Sequence, residues 1–171
     1  MQLFLNEKAE LTELGRKVTW TLVGLYALAV CYMCFGPQHT ADGVDTPNIQ
    51  YFGRVVVLLV PFNTLVSLSE LRTPLELIVV IGQNLVNIFL LFPLLLGMLA
   101  LLPKLRSWKS ILILAFCLSL FIECTQIVLD LLFDANRVFE IDDLWTNTLG
   151  GAVAFLCYNW LKKVLTKYLQ K

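Results

Sequence analysis

Ser119, Glu123, Gln126 and Asp130 stand at i, i+4, i+7 and i+11 in the apolar stretch Ser110–Phe133. At the helical period all four side chains fall on one face. A hydroxyl, two carboxyls and an amide in a row can accept a proton as general base, hold an oxygen-liganded cation, or bind the head of an amphiphile. A second polar set follows in Arg137, Asp142, Asp143 and Asn147, trailed by the small residues Gly150, Gly151 and Ala154. A third, Gln83, Asn84 and Asn87, clusters within about one helical turn. If these stretches are neighbouring helices, Asn87, Glu123, Gln126, Asp143 and Asn147 share one polar pocket with Arg137 in the loop above it. Glu123 reads as helix-to-helix glue or as a ligand-binding or catalytic group. Gln126 and Asn87 read first as interhelical hydrogen bonders. Arg137 is either an anion binder or the counter-ion that keeps Glu123 or Asp142 ionised. Asp130 reads as solvated at the outer interface, and the single His39 as an inert loop residue.

No standard catalytic constellation completes this set. There is no H-E-x-x-H, no G-x-S-x-G, no P-loop, and no second histidine for a zinc site. Carboxylates with an arginine could hold Mg²⁺ or Ca²⁺ together with a phosphate, but nothing in the spacing demands it, so neither metal nor cofactor is expected.

What positions these residues is set by composition. Of 171 residues, 58% are hydrophobic and 15% charged, against roughly 45–50% and about 25% in soluble domains. The mean hydropathy is +0.74. Such a chain needs a bilayer as solvent. Thirteen basic and thirteen acidic residues give zero net charge and no field for a nucleic acid. The five cysteines (Cys31, Cys34, Cys117, Cys124, Cys157) are odd in number and lie in apolar runs, so they read as packing residues.

Four runs are long enough for the ~20 residues that a helix needs to cross the hydrocarbon: Val18–Phe35, Leu77–Leu102, Ser110–Phe133 and Leu144–Leu161, the last with Trp145 and Trp160 near its ends. The leader before the first run carries Glu7, Glu10 and Glu13, which suits a retained span rather than a signal peptide. A fifth run, 55–68, is broken by Pro61 and Asn63 and reads as a re-entrant or interfacial segment. The expected fold is thus an all-α polytopic bundle of four transmembrane helices. Its parts are a cytoplasmic N-terminal segment (1–17), a transmembrane domain (18–161) and a basic cytoplasmic tail (162–171).

Charge supports four spans over five. With the N-terminus inside, Lys8, Arg16, Lys17, Lys104, Arg106, Lys109, Lys162, Lys163, Lys167 and Lys171 are cytoplasmic, and only Arg54, Arg72 and Arg137 lie outside. Most acids, including Asp42, Asp45, Glu70, Glu76, Asp134, Glu140, Asp142 and Asp143, fall on the outer side. The expected location is the cell membrane, multi-pass, with both termini cytoplasmic.

Three blocks resemble the VanZ family of small integral membrane proteins: Asn87-Ile-Phe-Leu-Leu-Phe-Pro93, Ser119-Leu-Phe-Ile-Glu123-Cys-Thr-Gln126, and Arg137-Val-Phe-Glu-Ile-Asp142-Asp143 followed by Asn147-Thr-Leu-Gly150-Gly151. Val60-Pro61-Phe62 adds a weaker block. The chain departs from the family pattern at Leu58, where an Asn is usual, and at Leu95, where a Gly is usual. The resemblance runs from about the first span to Leu161. It implies a membrane protein linked, in some members, to reduced susceptibility to lipoglycopeptides such as teicoplanin, which act on lipid-linked peptidoglycan precursors at the outer face.

Two functions of different class fit. The first is a non-enzymatic envelope protein whose outward-facing pocket (Asn87, Glu123, Gln126, Arg137, Asp142, Asp143, Asn147) binds an amphiphile: a membrane lipid, a lipid-linked precursor or the antibiotic itself. The alternative is a small membrane enzyme that hydrolyses or transfers a group on a lipid-linked substrate, with Glu123 or Asp143 as general base and Arg137 stabilising an anion. Gly150, Gly151 and Ala154 could also join two copies as a homo-oligomer.

Overall fold

The computed structural model describes residues 3–36, 47–67 and 74–170, without the side chains of 64, 74–76, 79 and 80. His39, Asp42, Asp45, Glu70, Arg72 and Lys171 lie outside the described residues. The elements in order are α1 (Glu13–Phe35), β1 (Gln50–Phe52), β2 (Val55–Leu58), α2 (Asn63–Val66), α3 (Pro74–Leu90), α4 (Phe92–Leu101), a 3-10 turn (Pro103–Leu105), α5 (Trp108–Phe133), β3 (Val138–Glu140) and α6 (Ile141–Leu169).

Local chemistry sets the boundaries. Thr12 caps α1, its hydroxyl accepting from Gly15 N at 3.1 Å, and Ser107 caps α5 by accepting from Ser110 N at 3.1 Å. The long second run is not one helix. It breaks at Leu91 between α3 and α4, because Pro93 has no N–H to continue the ladder. Tyr26 O–H donates to Leu90 O at 2.9 Å and fastens α1 beside that break.

Among the described residues, three stretches are long and apolar enough to cross a membrane: Glu13–Phe35, Ile81–Leu101 and Trp108–Phe133. The protein is therefore mostly helical and membrane-spanning. The expected fourth crossing is only partly matched. Its helix, α6, has 29 residues, enough for about 43 Å at 1.5 Å per residue. It is not among the three apolar stretches, because Thr146, Asn147, Thr148, Gly150, Gly151 and Asn159 dilute its hydropathy. Those residues suit its place. α6 packs against α3, α4 and α5, while α1 lies outside against α4 and α5.

The seam of α6 is closed by small residues. A side chain at Gly150 would strike Ile88 O of α3, and one at Gly151 would come within 2.6 Å of Ala115 Cβ on α5. With Ala154 also buried, these small residues let the helices of the chain approach closely. Leu91, Leu95, Leu99, Ile111, Ala115 and Ile122 fill the apolar core around them.

The all-α expectation omits a three-stranded sheet of order β1-β2-β3. β1 and β2 form an antiparallel hairpin through Gly53 at φ 64°, and β2 runs parallel to β3, with Val56 opposite Val138 and Leu58 opposite Glu140. Val55, Val56 and Val57 are β-branched and suit a strand. The run read as re-entrant or interfacial thus begins as a strand and continues into the short helix α2.

The opposite end gathers both ends of the described chain. Arg106 grips Glu10 through two hydrogen bonds of 2.9 Å, Lys162 also pairs with Glu10, and the guanidinium lies 5.1 Å from the centre of the Tyr158 ring. Arg106 further donates to Leu99 O and Ala100 O, capping α4. Burial opposes ionisation of Glu10, but the hydrogen bonds and charges of Arg106 and Lys162 outweigh it and hold its carboxyl below the usual range.

Candidate functional site

The polar face of α5 is turned fully inward. Ser119, Glu123, Gln126 and Asp130 are all buried, as the spacing predicts for a stripe that cannot face lipid. Ser119 and Glu123 meet α6 toward the sheet end of the bundle.

Glu123 and Asp143 form the centre. Their carboxyls face one another, and Glu123 Oε2 accepts from Glu140 N at 3.0 Å. Asn87 Nδ2 donates to Asp143 Oδ1 at 2.5 Å. One turn along, Asn147 Nδ2 donates to Ser119 Oγ at 3.0 Å, and that hydroxyl donates to Asp143 O at 3.0 Å. Asn147 is 1% exposed, yet its Oδ1 has no partner among the described residues. Three helices thus converge on Asn87, Ser119, Glu123, Asp143 and Asn147.

The other expected pocket residues are placed differently. Gln126 Nε2 donates to Cys34 O at 3.0 Å, tying α5 to the end of α1. Arg137 Nη2 donates to Met33 O at 2.9 Å and to Gly36 O, so its charge sits at the C-terminus of α1, where the helix dipole favours a cation. Arg137, Glu123 and Asp143 all lie within electrostatic reach of Cys34, so the guanidinium stays near the cluster. Asp142 points away from it. One carboxylate oxygen accepts from Phe62 N at 2.7 Å and Trp145 Nε1 at 2.9 Å, the other from Asn63 N at 2.8 Å. Asp142 therefore latches the α2 turn onto α6.

Asp130 is not solvated, as expected from its position, but 1% exposed, and it accepts from Arg137 N at 2.8 Å. The turn after α5, with Asp134 and Asn136 in left-handed conformations, folds Arg137 back over it. Two participants escape the sequence reading of the site. Ser119, which the spacing places only in the stripe, links Asn147 to Asp143. Glu140 supplies the N–H that holds Glu123, and its own carboxyl is pushed up to about 7 by burial and by the charges of Asp143 and Asp142. The run Glu140-Ile-Asp142-Asp143 was the available signal.

Chemically, acceptors outnumber donors here. Two facing carboxyls can share one proton, and the unmatched Asn147 Oδ1 adds a further acceptor. The cluster suits a donor group such as a hydroxyl, amide N–H or ammonium. Among the described residues no group of three or more His, Cys, Asp or Glu is placed to hold a metal ion.

Apolar helices around a buried acid and amide cluster define a polytopic α-helical membrane protein with a polar site between its helices. A sequence model of the VanZ/LLP1 family matches residues 23–162, and the chain belongs to that family. No curated protein and no solved structure matches the chain.

Proposed function

We propose that this VanZ/LLP1 protein is a non-enzymatic component of the cell envelope that binds an amphiphilic ligand through its buried acid and amide cluster and lowers susceptibility to teicoplanin-type lipoglycopeptides. The single observation that carries the reading is the surplus of acceptors at Glu123, Asp143 and Asn147, with Asn147 Oδ1 buried and unmatched. A bound donor would remove that deficit. Binding is favoured over turnover by how the groups are engaged: Glu123 faces Asp143, and Arg137 donates to Met33 O and Gly36 O at the end of α1.

The proposed orientation sets both termini in the cytoplasm and the cluster toward the outer face. Lys8, Arg16, Lys17, Lys104, Arg106, Lys109, Lys162, Lys163 and Lys167 belong to the terminal end, against Arg54 and Arg137 at the sheet end. That asymmetry agrees with the positive-inside rule. The ligand would be a lipid-linked wall precursor, a phospholipid head group or the drug itself.

The test is drug susceptibility after deletion and complementation. Wild type should restore teicoplanin tolerance with little effect on vancomycin, while Glu123→Gln and Asp143→Asn, present at wild-type levels, should not. Equal effects on both drugs, or full complementation by both variants, overturns the reading. Turnover of a lipid-linked substrate by purified wild type and not by Glu123→Gln would replace it with the enzyme alternative.

A further inference from the structure

The turn formed by Leu59–Val66 has its polarity inverted. Asn63 is 6% and Ser67 2% exposed, both facing inward. Asn48 Nδ2 donates to Asn63 Oδ1 at 2.8 Å and to Ser67 Oγ at 3.0 Å, and Asn63 Nδ2 donates to Pro47 O at 3.3 Å. The outward face carries Leu59, Phe62, Leu65 and Val66, of which Leu65 is 65% and Val66 61% exposed. In water such a turn would expose large apolar side chains while sequestering its polar ones, the reverse of what the hydrophobic effect favours.

Five backbone N–H groups of the turn and its end are matched within the protein. Phe62 N and Asn63 N donate to Asp142, Leu65 N and Val66 N to Phe62 O, and Ser67 N to Asn63 O. A turn can enter hydrocarbon only when its N–H groups are matched within the protein. Trp145 packs against Phe62 with ring centres 5.4 Å apart and planes tilted by 44°, and directs its N–H to Asp142, the amphipathic arrangement that tryptophan adopts at a bilayer boundary. Exposed apolar side chains also stand on the helices, at Leu131, Leu132 and Phe133 of α5 and at Ile81 and Leu85 of α3.

We propose that the Leu59–Val66 turn is a lipid-inserted cap, with Leu65 and Val66 in contact with phospholipid acyl chains of the leaflet at the sheet end. The cap is latched through Asp142, the residue before Asp143, so a lipid against it lies beside the acid and amide cluster. This inference does not depend on the proposed ligand or on drug tolerance.

The test uses single-tryptophan chains in nanodiscs. Trp20, Trp108, Trp145 and Trp160 are replaced by Phe, and Leu65→Trp, Val66→Trp or Glu13→Trp is introduced. A further chain keeps native Trp145 alone and so leaves the cap unaltered. Phosphatidylcholine brominated along its acyl chains should remove about half or more of the emission at positions 65 and 66 and a smaller share at Trp145, as expected for residues in or at the hydrocarbon. Iodide in the aqueous phase should quench the exposed position 13 and spare 65 and 66. If iodide quenches 65, 66 and native Trp145 as strongly as position 13, or brominated lipid quenches none of them, the cap is in water and the proposal fails.

Discussion

Asp142 and Asp143 are adjacent in the chain, yet the ~100° step of a helix sends them to different tasks. Asp143 joins Glu123 and Asn87, whereas Asp142 takes three hydrogen bonds, two of them from the backbone of the α2 turn. Hydrogen bonds to an ionised group are worth about 1.5–3 kcal/mol each in net stability, and losing the acceptor strands N–H groups that have no local substitute. Asp142→Ala should therefore destabilise the protein by about 2–4 kcal/mol. It should also speed amide hydrogen exchange at residues 62, 63, 65 and 66. Asp143→Asn should leave that exchange unchanged. Exchange measured by mass spectrometry on the two variants separates the roles; equal protection in both would dissolve the latch. Composition and spacing were enough to place Glu123, Asn87 and Asn147 together, because ionisable and amide groups in lipid must face one another. They could not divide the work between two adjacent aspartates, since the donors to Asp142 come from Phe62 and Asn63, far away in sequence.

At the scale of elements, the glycines show which helix contacts are tight. In α6, Gly150 lies against Ile88 O and Gly151 against Ala115, whereas a side chain at Gly24 in α1 or Gly82 in α3 would meet nothing within 4 Å. Gly150→Val forces α3 away from α6 and should cost about 1–3 kcal/mol or more, as overpacking does. Gly24→Ala and Gly82→Ala should stay within about 1 kcal/mol of wild type. Thermal midpoints in one detergent rank the three; a Gly150→Val chain as stable as Gly24→Ala would mean that the seam is loose. The same logic explains what was legible. Apolar runs located α1, α4 and α5, but hydropathy marks the hydrocarbon and caps mark the helix, so α1 begins at Glu13 rather than Val18, and α6 spans Ile141–Leu169 rather than Leu144–Leu161. The sheet was not legible, because β2 and β3 are three or four residues long and about eighty apart, which leaves no local periodicity to read.

Over the whole molecule, the neutral sum of charges separates into two ends that respond to pH in opposite ways. At the terminal end, Glu10 is held below its ordinary 4.5 by Arg106 and Lys162 against the cost of burial. An acid whose folded value is depressed contributes stability that is complete above 4.5 and is lost as pH falls through the folded value. At the sheet end, Glu140 is raised from 4.5 to about 7 by burial, then by Asp143 and Asp142. The folded chain there binds a proton more tightly than the unfolded one, so stability falls as pH rises from 4.5 toward 7 and levels off above it. The two contributions together favour mildly acidic conditions. Glu140→Gln should remove an alkaline-side loss on the order of 1–3 kcal/mol, leaving a flatter profile between pH 5 and 8. Glu10→Gln should lower stability above about pH 4.5 and leave it little changed below. Thermal midpoints of the three chains across that range decide the matter. If Glu140→Gln follows the wild-type slope, the burial of that side chain against Asp142 and Asp143 does not govern the sheet end. If Glu10→Gln loses nothing at neutral pH, the Arg106 and Lys162 clasp does not fasten the terminal end.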